Sequence, residues 1–150
     1  MSIWHKTPTI DVLNHDFGST AATHMGIEFT AVGDDYLVAR MPVDDTTRQP
    51  YGILHGGASC LLAETIGSLG GALCLDPDKE YPVGLEINAN HVRAVASGHV
   101  HGTGRPLHLG RSTHVWEIVI RNDDGDTVCL SRLTLLIKSR RQKLLTSGPR

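Results

Sequence analysis

One stretch constrains this chain more than any other. Gly57 to Leu75, GASCLLAETIGSLGGALCL, is small or apolar on almost every helical face and carries a single charge, Glu64. A helix without a polar face has to be buried on all sides. Gly67, Gly70 and Gly71 weaken its intrinsic helix propensity, yet they let other backbone come very close. A helix wrapped by a sheet meets both conditions. The stretch nearly has the length of a membrane span, but a carboxylate at its centre and several Gly and Ser residues argue against that use.

The segments around it supply the wrapping. Thr9 to Asn14 predicts a short leading helix, and Ile27 to Val32 with Tyr36 to Met41 predicts a hairpin turning at Gly33-Asp34-Asp35. Pro42 to Gly56 has loop chemistry. After Asp76-Pro77-Asp78, strands are predicted over Val83 to Arg93, His99 to Leu107, Thr113 to Arg121 and Thr127 to Lys138. Trp116, Ile118 and Ile120 alternate with Glu117 and Arg121, as a sheet with one dry face requires. Asn122-Asp123-Asp124-Gly125 is a strong turn signal. No helix separates the late strands, so a parallel sheet is disfavoured and an α+β fold follows, with one antiparallel curved sheet around a long central helix.

At 150 residues and 40% hydrophobic content the chain suits one domain, placed at residues 1–138, with a polar tail from 139 to 150 expected to be flexible. The formal charge of −2 offers no general attraction to nucleic acid or an anionic membrane. Met1 to Ile10 holds no apolar run of the secretory kind, so a cytoplasmic location is expected. Cys60, Cys74 and Cys129 lack CxxC spacing and read as reduced thiols. His99 and His101 share a strand face without further ligands at metal-binding spacing, so no metal is expected and solvent exposure is the simpler account.

Glu64 needs an explanation, because a buried carboxylate is costly unless it is paired. A structural role, hydrogen-bonded to Thr65, Ser68 or a sheet residue, is one account. The other is chemistry, as general base or nucleophile toward a substrate lying against the helix. Ser68 and Cys60 lie one turn away on the same face; buried cysteine is more often a small core hydrophobe than a nucleophile. The helix entrance, Gln49 to Gly57 (QPYGILHGG), is either a tight glycine turn or a group of free N–H donors aided by the helix dipole, suited to an oxyanion. Gly56 and Glu64 stand roughly 12 Å apart along a helix axis. Two chains with antiparallel helices would bring the entrance of one to the carboxylate of the other.

His55 to Ser68 (HGGASCLLAETIGS), GLEINANHVR (Gly84 to Arg93) and PLHLG (Pro106 to Gly110) together resemble the hotdog-fold thioesterases of the phenylacetate-degradation type. Within that group the similarity, from about Ile10 to Lys138, is greatest to 1,4-dihydroxy-2-naphthoyl-coenzyme A thioesterases and the enterobactin proofreading thioesterase. The resemblance implies acyl-coenzyme A hydrolysis with Glu64 as the catalytic acid residue. It also implies that the Gly56 N–H polarises the thioester carbonyl, that Gln49 and His55 assist there, and that Ser68 supports the attacking group. Coenzyme A contacts are implied at Gly84, at His91, Val92, Arg93 and Ala94, and at His108, Leu109, Gly110, Arg111, Ser112 and Thr113, with the arginines toward phosphate. Coenzyme A is then part of the substrate, no cofactor is expected, and the assembly is a homodimer or homotetramer.

Two alternatives remain at this level. A hydratase or dehydratase on the same scaffold pairs its helix acid with an upstream His, where Gln49 and Pro50 stand here. An acyl-coenzyme A binding protein uses the pocket without reaction.

Overall fold

A computed structural model describes residues 1–15 and 18–140. Its elements in chain order are α1 (Ile10–His15), α2 (Ala21–His24), β1 (Glu28–Val32), β2 (Leu37–Pro42), α3 (Gly56–Leu73), β3 (Glu80–His91), β4 (His99–Leu109), β5 (Thr113–Asn122) and β6 (Thr127–Ser139). The six strands make one antiparallel sheet in the order β1-β2-β4-β5-β6-β3. It curls around α3 in the hotdog arrangement.

The packing follows from residue size. Leu62 and Ile66 of α3 and Trp116, Ile118, Ile120, Leu133 and Leu135 of the sheet are all fully buried. Their mutual approach is close because glycines stand on both sides of the contact. A Cβ on Gly70 would lie 2.6 Å from the Trp116 ring, and one on Gly104 of β4 would lie 2.5 Å from Ile66. The alternation expected on β5 holds, with Glu117 exposed between buried Trp116 and Ile118 and Arg121 exposed after buried Ile120. Trp4 stacks on Trp116 at 6.3 Å and donates its indole N–H to the Gly33 carbonyl at 2.8 Å, closing the end of the core. The Asn122 to Gly125 turn forms as expected, with Gly125 at φ 84°.

Several boundaries differ from the sequence expectation. The central helix starts one residue early, because the His55 ring caps it, and stops at Leu73, whose carbonyl is taken by the His5 N–H at 2.8 Å. Strand β3 begins at Glu80, because Pro82 is tolerated in an edge strand that pairs on one side only. The short helix α2 was not anticipated. Ser139 closes β6, and Arg140 donates its backbone N–H to the Lys79 carbonyl, so two residues of the expected tail are tied down. The rest of that tail, 141–150, lies outside the described residues.

The larger correction concerns α3. Within one chain it is not buried all round: Leu61, Glu64, Thr65, Ser68, Leu69 and Ala72 are only half-buried, and they form one face. The other face, from Ala58 to Gly71, is sealed by the sheet.

Candidate active site

Glu64 sits on the open face of α3. Ser68, one turn on, donates its hydroxyl to Glu64 Oε1 at 3.1 Å. On the other side Gly84 of β3 crowds the same oxygen, for a Cβ there would lie 2.7 Å from it. The register of β3 on β6 slips between Gly84 and Glu86, so the strand is irregular where it passes the carboxylate. Thr65 takes no part, since its hydroxyl bonds back to the Leu61 carbonyl at 2.7 Å. The carboxylate opens on a mostly apolar cavity of about 510 Å³ whose walls include Ala21, Ala22, Leu61, Leu69, Ala72 and Pro82.

The start of α3 opens on a different cavity. His55 is the N-cap, and its Nδ1 accepts the Gly57 N–H at 2.8 Å, which fixes the ring proton on Nε2. That bond consumes one of the paired glycine donors. The neighbouring Gly56 N–H has no acceptor among the described residues, as expected of the first residue of a helix. It lines a cleft of about 410 Å³ together with Gln49, Ile53, Ser59 and His91 to Ala94. His91 packs over it, its Nε2 2.9 Å from where a Gly56 Cβ would stand. The Gln49 carbonyl group of the side chain accepts the Tyr51 N–H, which holds the Pro50-Tyr51-Gly52 turn.

Thus within one chain Glu64 and the Gly56 N–H face different cavities. The residues matched to coenzyme A divide in the same way. His91 pairs with Cys129 and Thr113 with Leu136, so along β6 these groups are separated by seven residues, roughly 23 Å. His91, Val92, Arg93 and Ala94 stand beside the helix start; His108, Leu109, Gly110, Arg111, Ser112 and Thr113 form the β4–β5 turn at the far end of the sheet. Arg111 is exposed, and Arg93 meets Asp126 at 3.7 Å on the surface. Gly84 lies against Glu64.

The other candidates resolve as ordinary chemistry. Burial, then the Glu64 charge, raises the Cys60 thiol above its usual range, which disfavours the thiolate a nucleophile needs. Burial pushes Cys74 and Cys129 to about 11. His101 bonds Asp123 at 2.7 Å and holds that carboxyl below its usual range, and His99 donates its backbone N–H to the same side chain. No group of three or more His, Cys, Asp or Glu suited to a metal occurs among the described residues. Nor is any described helix long and apolar enough to cross a membrane. The walls of the Glu64 cavity went unnoticed in the sequence. Leu61, Thr65, Leu69 and Ala72 recur at helical spacing around Glu64 and were legible in principle, whereas the α2 contribution was not.

The thioesterase superfamily model matches residues 51–129, which hold the helix start, all of α3 and most of the sheet. The chain belongs to the thioesterase superfamily. This thioesterase-family chain is 50% identical to the proofreading thioesterase EntH of Cronobacter turicensis over 90% of its own length and 98% of the relative's. Its fold matches a crystal structure of a mutant of thioesterase PA1618 from Pseudomonas aeruginosa with a TM-score of 0.91 and 46% identity, covering 93% of this chain and 100% of the other. The thioesterase HI1161 of Haemophilus influenzae matches at 0.88 and 50%, over 91% and 95%. The similarity therefore covers both the Glu64 and the Gly56 cavities of this thioesterase-family chain.

Proposed function

We propose that this protein hydrolyses acyl-coenzyme A thioesters to the free acid and coenzyme A, and that its substrates are aryl thioesters of the 1,4-dihydroxy-2-naphthoyl kind. The observation that carries the proposal is the placement of Glu64, held by Ser68, at an apolar cavity on an open helix face, while the free Gly56 N–H serves a second cavity in the same chain. In a homodimer with antiparallel α3 helices the two half-sites meet. The Gly56 N–H of one subunit then takes up charge developing on the thioester oxygen, aided by the helix dipole. The Glu64 carboxylate of the other attacks the carbonyl carbon or removes a proton from the attacking water; the C–S bond then breaks and coenzyme A leaves as a thiolate that takes up a proton, and in the first route water hydrolyses the resulting anhydride to free acid and carboxylate. Ser68 keeps the carboxylate in its rotamer, and Gln49 and His55 sit beside the carbonyl and sulfur. The coenzyme A moiety lies between the His91 to Ala94 segment of one subunit and the β4–β5 turn of the other, with Arg93 and Arg111 toward its phosphates. The protein works in the cytoplasm as a single-domain subunit, in a homodimer or homotetramer.

The test is thiol release from a panel of aryl and alkyl coenzyme A thioesters. Glu64→Gln is expected to lower kcat by about 10²- to 10⁴-fold while the thioester still binds, the range seen on removing a positioned general base. Unchanged turnover eliminates the proposal, as does a monomer that keeps full activity.

A further inference from the structure

Resting on that catalytic reading, we propose that Ala21 of α2 and Ala72 of α3 set the length of acyl group that the site accepts. The cavity at Glu64 is not symmetric about the carboxylate. Toward the start of α3 it ends within one turn, at Leu61; toward the helix end it runs two turns, to Ala72. Eight residues of helix make that run roughly 12 Å. Gly84 blocks one flank of the carboxylate and Ser68 occupies the next turn, so an acyl group whose carbonyl is at Glu64 has one long apolar direction, toward Ala72. Beyond Glu64 no charged side chain lines the slot, which suits uncharged alkyl or aryl acyl groups and excludes dicarboxylic ones.

The second wall is α2, and it is firmly seated. Ala22 is buried in the core, and the Ile27 N–H bonds back to its carbonyl at 3.0 Å. Thr23 accepts the Thr20 N–H at 2.9 Å and donates to the Gly18 carbonyl at 2.9 Å. Ala21, its exposed neighbour, lines the slot. A larger side chain at 21 or 72 therefore shortens the slot from two independent elements.

The experiment compares wild type, Ala21→Leu and Ala72→Leu across straight-chain acyl-coenzyme A thioesters from acetyl to octanoyl, plus a bicyclic aryl thioester. It reads kcat/KM by thiol release and, separately, the Kd of the corresponding nonhydrolysable thioethers. For each variant the octanoyl-to-acetyl ratio is expected to fall at least tenfold relative to wild type, in both readouts. Ratios equal to wild type in both variants overturn the proposal, as does a uniform loss at every length. If no thioester is turned over but Kd follows chain length as described, the catalytic reading fails and the length assignment stands. Normal turnover with unchanged ratios has the opposite meaning.

Discussion

The hydroxyl of Ser68 reaches Glu64 Oε1 from one helical turn away, so its removal takes one charge-assisted hydrogen bond from the carboxylate. Ser68→Ala is expected to lower kcat about tenfold with a smaller effect on KM, the order of one such bond; steady-state kinetics checks it. Gly84→Ala places a methyl group 2.7 Å from the same oxygen, where only the carboxylate can yield, and should lower kcat while the melting temperature holds. The buried His114 shapes the pH response. Burial, then the nearby His108, lowers its pKa, with Glu80 opposing, and its Nδ1 has no hydrogen-bond partner. Above the ordinary histidine value of about 6.5 both folded and unfolded chains are neutral at this residue; below it the unfolded chain takes up a proton first. Stability should therefore fall as pH drops from about 7.5 to 5, and His114→Asn should flatten that slope, measured by urea midpoints. Glu64 was legible in the sequence as the only charge in an apolar helix. The role of Gly84 was not, because nothing local to GLEINANHVR says that strand β3 passes the carboxylate.

At the scale of elements, α3 shows why glycine content can read as weakness and act as fit. Gly70→Ala improves helix propensity by about 1 kcal/mol. The added methyl meets the fully buried Trp116 ring at 2.6 Å, however, and overpacking of this kind costs about 1 to 3 kcal/mol. A net loss is expected, a melting temperature lower by a few degrees in calorimetry; a gain would show that the core relaxes freely. The strand positions along the chain and the β5–β6 hairpin followed from period-two alternation and the Asn122 to Gly125 turn, both local signals; the sheet order, with β3 beside β6 and β4 beside β2, had no local signal. Helix α2 had none: Thr20 to Gly26 lacks apolar periodicity, and its four residues are helical because Ala22 packs in the core and Gly26 reverses the chain at φ 68°. Helix ends shifted by one or two residues because the partners that fix them, the His55 ring and the His5 N–H, act through geometry.

At the scale of the whole molecule, the apolar pattern of α3 asks for burial on every side and one chain supplies only half of it. On the proposed dimer a second copy covers the open face outside the acyl slot, and sedimentation at micromolar concentration should show no monomer. The proposed dimer would also join the Glu64 cavity of one subunit to the Gly56 cleft of the other. Mixed dimers test this most directly. Gly56 is the first helical residue, where proline is well tolerated, and His55 before it is extended at ψ 131°, so Gly56→Pro deletes the N–H while its ring displaces the His91 side chain of the same half of the site. Co-expressed with a differently tagged Glu64→Gln subunit and purified through both tags, the hybrid carries one doubly defective site and one intact site. Each parent alone should be nearly inactive in thiol release, and the hybrid should recover about half of wild-type activity per dimer. A hybrid no more active than its parents would contradict the shared site.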